Sequence, residues 1–119
     1  MTMIGKIIPS EEDEQAAVVE YLELKGYKFT ASNSGMYSKS WKQKAKMKKT
    51  GVRPGFPDLT IILPNKLLFI EMKRKKGGQV STYQKEWIKA LNGVSESVEA
   101  FVARGADEAI EIIKKAINK

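Results

Sequence analysis

Two apolar runs, Leu59 to Leu63 and Leu67 to Lys73, are separated by the turn signal Pro64-Asn65, and this pairing constrains the chain more than any other feature. With a two-residue loop at Pro64 and Asn65, Leu63 pairs with Lys66. Counting back along both strands then sets Asp58, just before the first run, opposite Glu71, near the end of the second. Opposed residues of an antiparallel pair share a face, with Cβ atoms roughly 5 Å apart. Lys73 lies two residues beyond Glu71 and points to the same face, because side chains alternate along a strand. The hairpin therefore brings two carboxylates and an ammonium together at one sheet edge. Opposed like charges are destabilising without a compensating group, and a metal ion is one such group.

A Glu-x-Lys tripeptide arises easily by chance in a lysine-rich chain, and Glu23-Leu24-Lys25 is a second copy. That copy falls in a helical pattern with no aspartate opposite it and reads as solvated surface. The copy at Glu71 ends an apolar run, and the aspartate of the middle of the chain precedes the adjoining strand. A structural alternative stands beside the chemical one: Asp58 as a turn residue, and Glu71 with Lys73 as a cross-strand or surface ion pair.

The chain has no cysteine and no histidine. Disulfides, thiolate metal sites, the usual zinc sites and histidine acid/base catalysis are thereby excluded. Any hydrolytic water must be activated by a carboxylate or a metal, and carboxylates suit the hard cations Mg²⁺ and Mn²⁺. At 119 residues and 42% hydrophobic content the chain is expected to form one domain, spanning 1–119. No apolar run approaches membrane-spanning length, and Lys6 before Pro9 does not make a signal peptide, so a cytoplasmic location and no membrane partner are expected.

The net charge of +7 is unevenly distributed. Residues 30–57 carry Lys39, Lys42, Lys44, Lys46, Lys48, Lys49 and Arg53 and no acid, while the rest of the chain is balanced. The excess sits on an insertion at about 33–54, interleaved with Met36, Tyr37 and Trp41. Clustered lysines without acids are an electrostatic footprint for nucleic acid, since phosphate contacts reward them; a solvated loop kept soluble by lysines is the alternative. Ser40 to Lys49 has the pattern of a short helix capped by Ser40 and stopped near Gly51.

Elsewhere, Ser10-x-x-Asp13 resembles a capping box opening a helix to about Lys25, with Val18, Val19 and Leu22 as its apolar stripe. Glu11, Glu14 and Gln15 fall on or beside that stripe. Glu11, Glu12 and Asp13 are explained by the helix dipole. Glu14, one turn in, is either a further dipole group or a metal or water ligand reaching the sheet edge. Tyr27 to Ala31 reads as the first strand. After Gly77-Gly78, Ser81 opens a helix to Leu91 with Gln84, Trp87, Ile88 and Leu91 inward. Ser81-x-x-Gln84 fits a capping box, yet an inward glutamine needs polar partners, which leaves room for a site role. Val98 to Ala103 is a further strand, and Asp107 is expected to cap a last helix using Ile110, Ile113 and Ile117. The order α-β-β-β-α-β-α predicts an α/β domain with helices flanking a mixed central sheet.

That order, with Asp at the second strand and Glu-x-Lys at the third, resembles the PD-(D/E)xK nuclease superfamily and its restriction-endonuclease-like core. The closer resemblance is to the VRR-NUC family, the virus-type replication and repair nuclease domain. Glu14-Gln15, Gly55-Phe56-Pro57-Asp58-Leu59, Phe69-Ile70-Glu71-Met72-Lys73 and Ser81-Thr82-Tyr83-Gln84 carry it, over about residues 10 to 113. The resemblance implies metal-dependent hydrolysis of DNA phosphodiesters. It implies that Asp58, Glu71 and the Met72 carbonyl bind Mg²⁺ or Mn²⁺, with Glu14 completing the set directly or through water. Lys73 would orient the attacking water or stabilise developing charge, and Gln84 would support Lys73 or the water. It further implies a structure-selective enzyme of phage or mobile-element DNA, acting as a homodimer on four-way junctions or on flaps. A non-catalytic DNA-binding protein working through residues 39 to 53, and an RNA-directed nuclease, remain alternatives, which metal dependence and substrate identity separate.

Overall fold

The computed structural model describes residues 8–32 and 40–118. The first helix, α1 (Glu11–Lys25), starts with the expected capping box: Ser10 accepts from the Asp13 N–H while the Asp13 side chain accepts from the Ser10 N–H. It ends where Gly26 takes a left-handed conformation (φ 75°), and the Tyr27 N–H donates back to the Leu22 carbonyl. Tyr27 thus belongs to the helix cap, and β1 (Lys28–Ala31) starts one residue later than expected. Within the basic insertion lies α2 (Trp41–Lys49), capped by Ser40, with no buried residue. Lys39, Tyr37 and Met36 lie outside the described residues.

The hairpin forms as the turn chemistry dictates. β2 (Leu59–Leu63) and β3 (Lys66–Lys73) are antiparallel with Leu63 opposite Lys66 and Leu59 opposite Ile70. Asn65 adopts φ 61°, the left-handed conformation that asparagine tolerates in tight turns. α3 (Thr82–Asn92) then crosses to β4 (Val98–Arg104), which runs parallel to β3, and α4 (Ala106–Ile117) closes the described chain. The sheet order is β1-β2-β3-β4. With α2 added inside the insertion, this is the expected element order, a mixed sheet flanked by helices.

The period-two alternation of the hairpin sorts its residues onto two faces. Leu59, Ile61, Leu63, Leu68, Ile70 and Met72 join Val18 and Leu22 of α1 and Ala109, Ile113 and Ala116 of α4 in one core. Each fully buried Leu or Ile contributes about 1.5–3 kcal/mol there. Phe69, Glu71 and Lys73 point to the other face. There Phe56 stands edge-on to both Phe69 (5.6 Å between ring centroids) and Trp87 of α3 (5.0 Å). Asn92 of α3 makes two hydrogen bonds to the backbone of Ala100, covering part of the edge that β4 would otherwise expose.

α4 departs from expectation. Its buried stripe is Ala106, Ala109, Ile113 and Ala116, while Ile110 and Ile117 are only half-buried. Ile113 takes its expected place in the core and Ile117 packs against it, while the small alanines let this helix approach α1 and the sheet. Asp107 does not cap it: Gly105 is the N-cap and offers no side chain. The cap comes instead from Glu14, whose Oε1 accepts from the Ala106 N–H at 2.9 Å.

Candidate active site

Extending the hairpin register one residue past β2 sets Asp58 opposite Glu71, at the C-terminal end of β3. Asp58 is fixed from two sides. Its carbonyl accepts from the Ser32 N–H beyond β1 (2.8 Å), and its Oδ2 accepts from the Met72 N–H (2.7 Å). Glu71 is 2% exposed and Lys73 7% exposed, with the Lys73 Nζ 3.9 Å from Glu71 Oε2. The ion-pair alternative therefore captures one contact of a larger buried group.

The third acid is Glu11. One carboxylate oxygen from each of Glu11, Asp58 and Glu71 lies within 4.8 Å of the others. The helix-dipole reading of Glu11 was incomplete: the first turn of α1 sits over the end of β3. A periodic signal was present, since Glu11, Gln15, Val18 and Leu22 follow the helical repeat and place Glu11 in line with the buried stripe. Glu14 is buried but engaged with α4, and it is Glu11 that joins the grouped carboxylates. Glu14 Oε2 is also buried and has no hydrogen-bond partner among the described residues.

Gln84 performs two tasks at once. Its Oε1 accepts from the Ser81 N–H (2.8 Å), completing the capping box that opens α3. That contact fixes the amide orientation, so Nε2 donates to Glu71 Oε2, also at 2.8 Å. The expected support of Lys73 is thus exerted on Glu71, the residue both contact. Gly55 holds this corner shut. It has φ 91°, and a Cβ there would lie 2.7 Å from backbone and Cβ atoms of Tyr83 and 2.8 Å from the Gln84 nitrogen. On the far side, Arg104 donates to the carbonyls of Gly77 and Gly78 (2.7 and 3.1 Å), fastening the glycine turn beyond Lys73.

Electrostatics follow from the geometry. Burial, and then the charge and hydrogen bond of Asp58, push the Glu71 carboxyl up to about 8, with Lys73 opposing and Glu11 reinforcing the rise. Burial also raises Asp58, opposed by the Met72 N–H, Glu71 and Lys73. Below about pH 8, and without a further cation, the pair therefore shares a proton. Three acids against one lysine leave two negative charges uncompensated when all are ionised, the charge a divalent ion supplies.

Of the DNA-contact candidates, Lys42, Lys44, Lys46, Lys48 and Lys49 all lie exposed on α2, and Arg53 follows shortly after it. At 100° per residue the lysines flank Trp41, while Gln43 and Met47 occupy the opposite side; Met47 is the half-buried residue of the helix.

A mixed sheet whose central hairpin ends in Asp and Glu-x-Lys, with a helix-borne acid above it, defines a restriction-endonuclease-like core. The VRR-NUC domain model matches residues 10–107, and the chain belongs to this nuclease-type family. A solved structure described as a VRR_NUC domain protein is similar, with a TM-score of 0.75 and 27% identity over 94% of this chain and 91% of the other. Comparison with curated proteins gives no match. No helix among the described residues is long and apolar enough to cross a membrane.

Proposed function

We propose that this protein is a divalent-metal-dependent DNA endonuclease selective for branched or flapped substrates, working in phage or mobile-element DNA replication or repair. The convergence of Glu11, Asp58 and Glu71 beside the buried Lys73 carries this reading. The donor set fits a hard cation: oxygen ligands, an acid pair opposed at close range, and a Glu71 carboxyl raised to about 8, whose proton such an ion displaces near neutral pH. Asp58, Glu71, Glu11 and the Met72 carbonyl would hold Mg²⁺ or Mn²⁺, and Glu14 would act through water at its buried Oε2. When bound, such an ion lowers the pKa of water and stabilises charge on a phosphate, which removes the need for histidine.

The protein's own groups do the positioning. Lys73 places its Nζ 3.9 Å from Glu71 Oε2, where it orients the attacking water and offsets charge developing on the phosphoryl oxygens. Gln84 fixes the Glu71 carboxylate from the α3 side, and the Met72 N–H fixes that of Asp58. The exposed lysines of α2, with Lys39 and Arg53, bind the DNA backbone. One domain with one site cuts one strand, so paired cuts across a four-way junction call for two copies related by a two-fold axis. Sedimentation at micromolar concentration should therefore give twice the 13.3 kDa chain mass.

Incubation with labelled duplex, flap, four-way-junction and single-stranded DNA, with Mn²⁺ or EDTA, tests the activity. Cleavage of branched forms with Mn²⁺ and none in EDTA is expected. Cleavage in excess EDTA, or none of any substrate with metal, overturns it.

A further inference from the structure

A cleft lies along α3, the helix whose Gln84 reaches Glu71. Its volume is about 430 Å³, and it is lined by Arg53, Pro54, Tyr83, Glu86, Trp87 and Ala90. Tyr83, in its wall, is the neighbour of Gln84, whose amide holds Glu71, and both pack against Gly55. Its walls are braced by contacts. Trp87 donates its indole N–H to the Pro54 carbonyl (3.1 Å) and is braced by Phe56, and Gly55 lies against Tyr83 with no room for a side chain. Tyr83 itself is 59% exposed, an aromatic ring presented to solvent.

We infer that this cleft receives an unpaired nucleobase of the DNA strand next to the bond that is cut. The inference rests on the DNA-nuclease reading for its substrate class. Tyr83 and Pro54 offer flat apolar surface for stacking, which every base accepts on its π-face. Glu86 offers an acceptor to the exocyclic amino groups of bases, and Arg53 offers a cation to the adjoining phosphate. The charge of the surroundings favours the same occupant: the acid-free segment that contains α2 runs straight into Arg53 and Pro54. A base inside a continuous duplex is stacked on both sides and enters such a cleft only after flipping, at a free-energy cost. At a flap or branch point the base is already free. The cleft thereby gives a small domain a means of preferring branched DNA.

The test is binding by fluorescence anisotropy in EDTA, using fluorescein-labelled DNA. Three probes are compared: a flap, the same flap with abasic residues at its first unpaired positions, and a fully paired duplex. The wild type should bind the abasic flap about tenfold more weakly than the intact one. Tyr83→Ala should bind both flaps alike, and Tyr83→Phe, which keeps the ring, should retain the preference. Equal affinity of the wild type for the two flaps, or a preference kept by Tyr83→Ala, overturns the inference. The readout is independent of cleavage. A protein that discriminates the flaps but never cuts with Mn²⁺ refutes the nuclease proposal alone; one that cuts yet ignores the missing bases refutes the cleft assignment alone.

Discussion

Glu71→Gln should stabilise the metal-free protein while abolishing cleavage. Glu71 is almost completely buried, and its carboxyl is raised from 4.5 to about 8 by burial and by Asp58. A carboxyl raised on folding contributes stability that is fully present below its unfolded pKa and is lost as pH rises through the folded value. The loss therefore runs from about pH 4.5 to about 8. Each unit in that window costs about 1.4 kcal/mol, so by pH 7 the wild type has given up about 3 kcal/mol. For a domain of this size that is a fall in Tm of roughly 10 °C. Glutamine has no proton to lose and can keep a hydrogen bond to Gln84, so the variant should not follow this decline. The assay is thermal unfolding in EDTA from pH 5 to 8, read as the difference between variant and wild type. Adding Mn²⁺ should restore the wild type increasingly as pH rises, with apparent affinity falling up to tenfold per unit below about 8 as protons compete. A pH-independent difference in Tm between the two proteins would refute the electrostatic account of this site.

Gly55→Ala should reduce single-turnover cleavage at least tenfold with the circular dichroism spectrum preserved, because its Cβ would collide with Tyr83 and displace Gln84 from Glu71. Glu14→Ala should lower stability by about 3 kcal/mol in urea melts, since it removes the cap of α4 and leaves the Ala106 N–H buried and unpaired. Replacing Lys42, Lys44, Lys46, Lys48 and Lys49 together with Gln should make the slope of log K against log salt shallower by roughly 4, with little effect on cleavage at saturating protein. An unchanged slope would show that α2 faces solvent in the complex.

The parts of the site that the sequence made legible are those set by local rules. A two-residue turn fixed the register, and the register fixed Asp58 opposite Glu71 with Lys73 on the same face. Both capping boxes were readable from short-range spacing, as were the inward positions of α3 and the cap of α2. What escaped depends on contacts between distant elements. Glu14 meets Ala106 across most of the chain, and nothing near either residue announces it. Glu11 looked like an ordinary first-turn acid because the placement of α1 over the sheet end is a tertiary property. The stripe of α4 is only partly legible: hydrophobicity points to Ile110, Ile113 and Ile117, and Ile113 is buried as expected, but alanines fill the rest of the stripe because close helix packing selects them. Gln84 is readable as a cap or as a candidate site residue, and its one amide makes the cap contact at one end and reaches Glu71 at the other.

If the grouped carboxylates and Lys73 carry metal-dependent cleavage, removing either kind of group removes the reaction and leaves binding. Single-turnover cleavage of a labelled branched DNA in Mn²⁺, comparing wild type with Asp58→Asn and Lys73→Ala, tests it most directly. Each variant should lose cleavage by several orders of magnitude with DNA binding retained. Cleavage by either variant at the wild-type rate would contradict it.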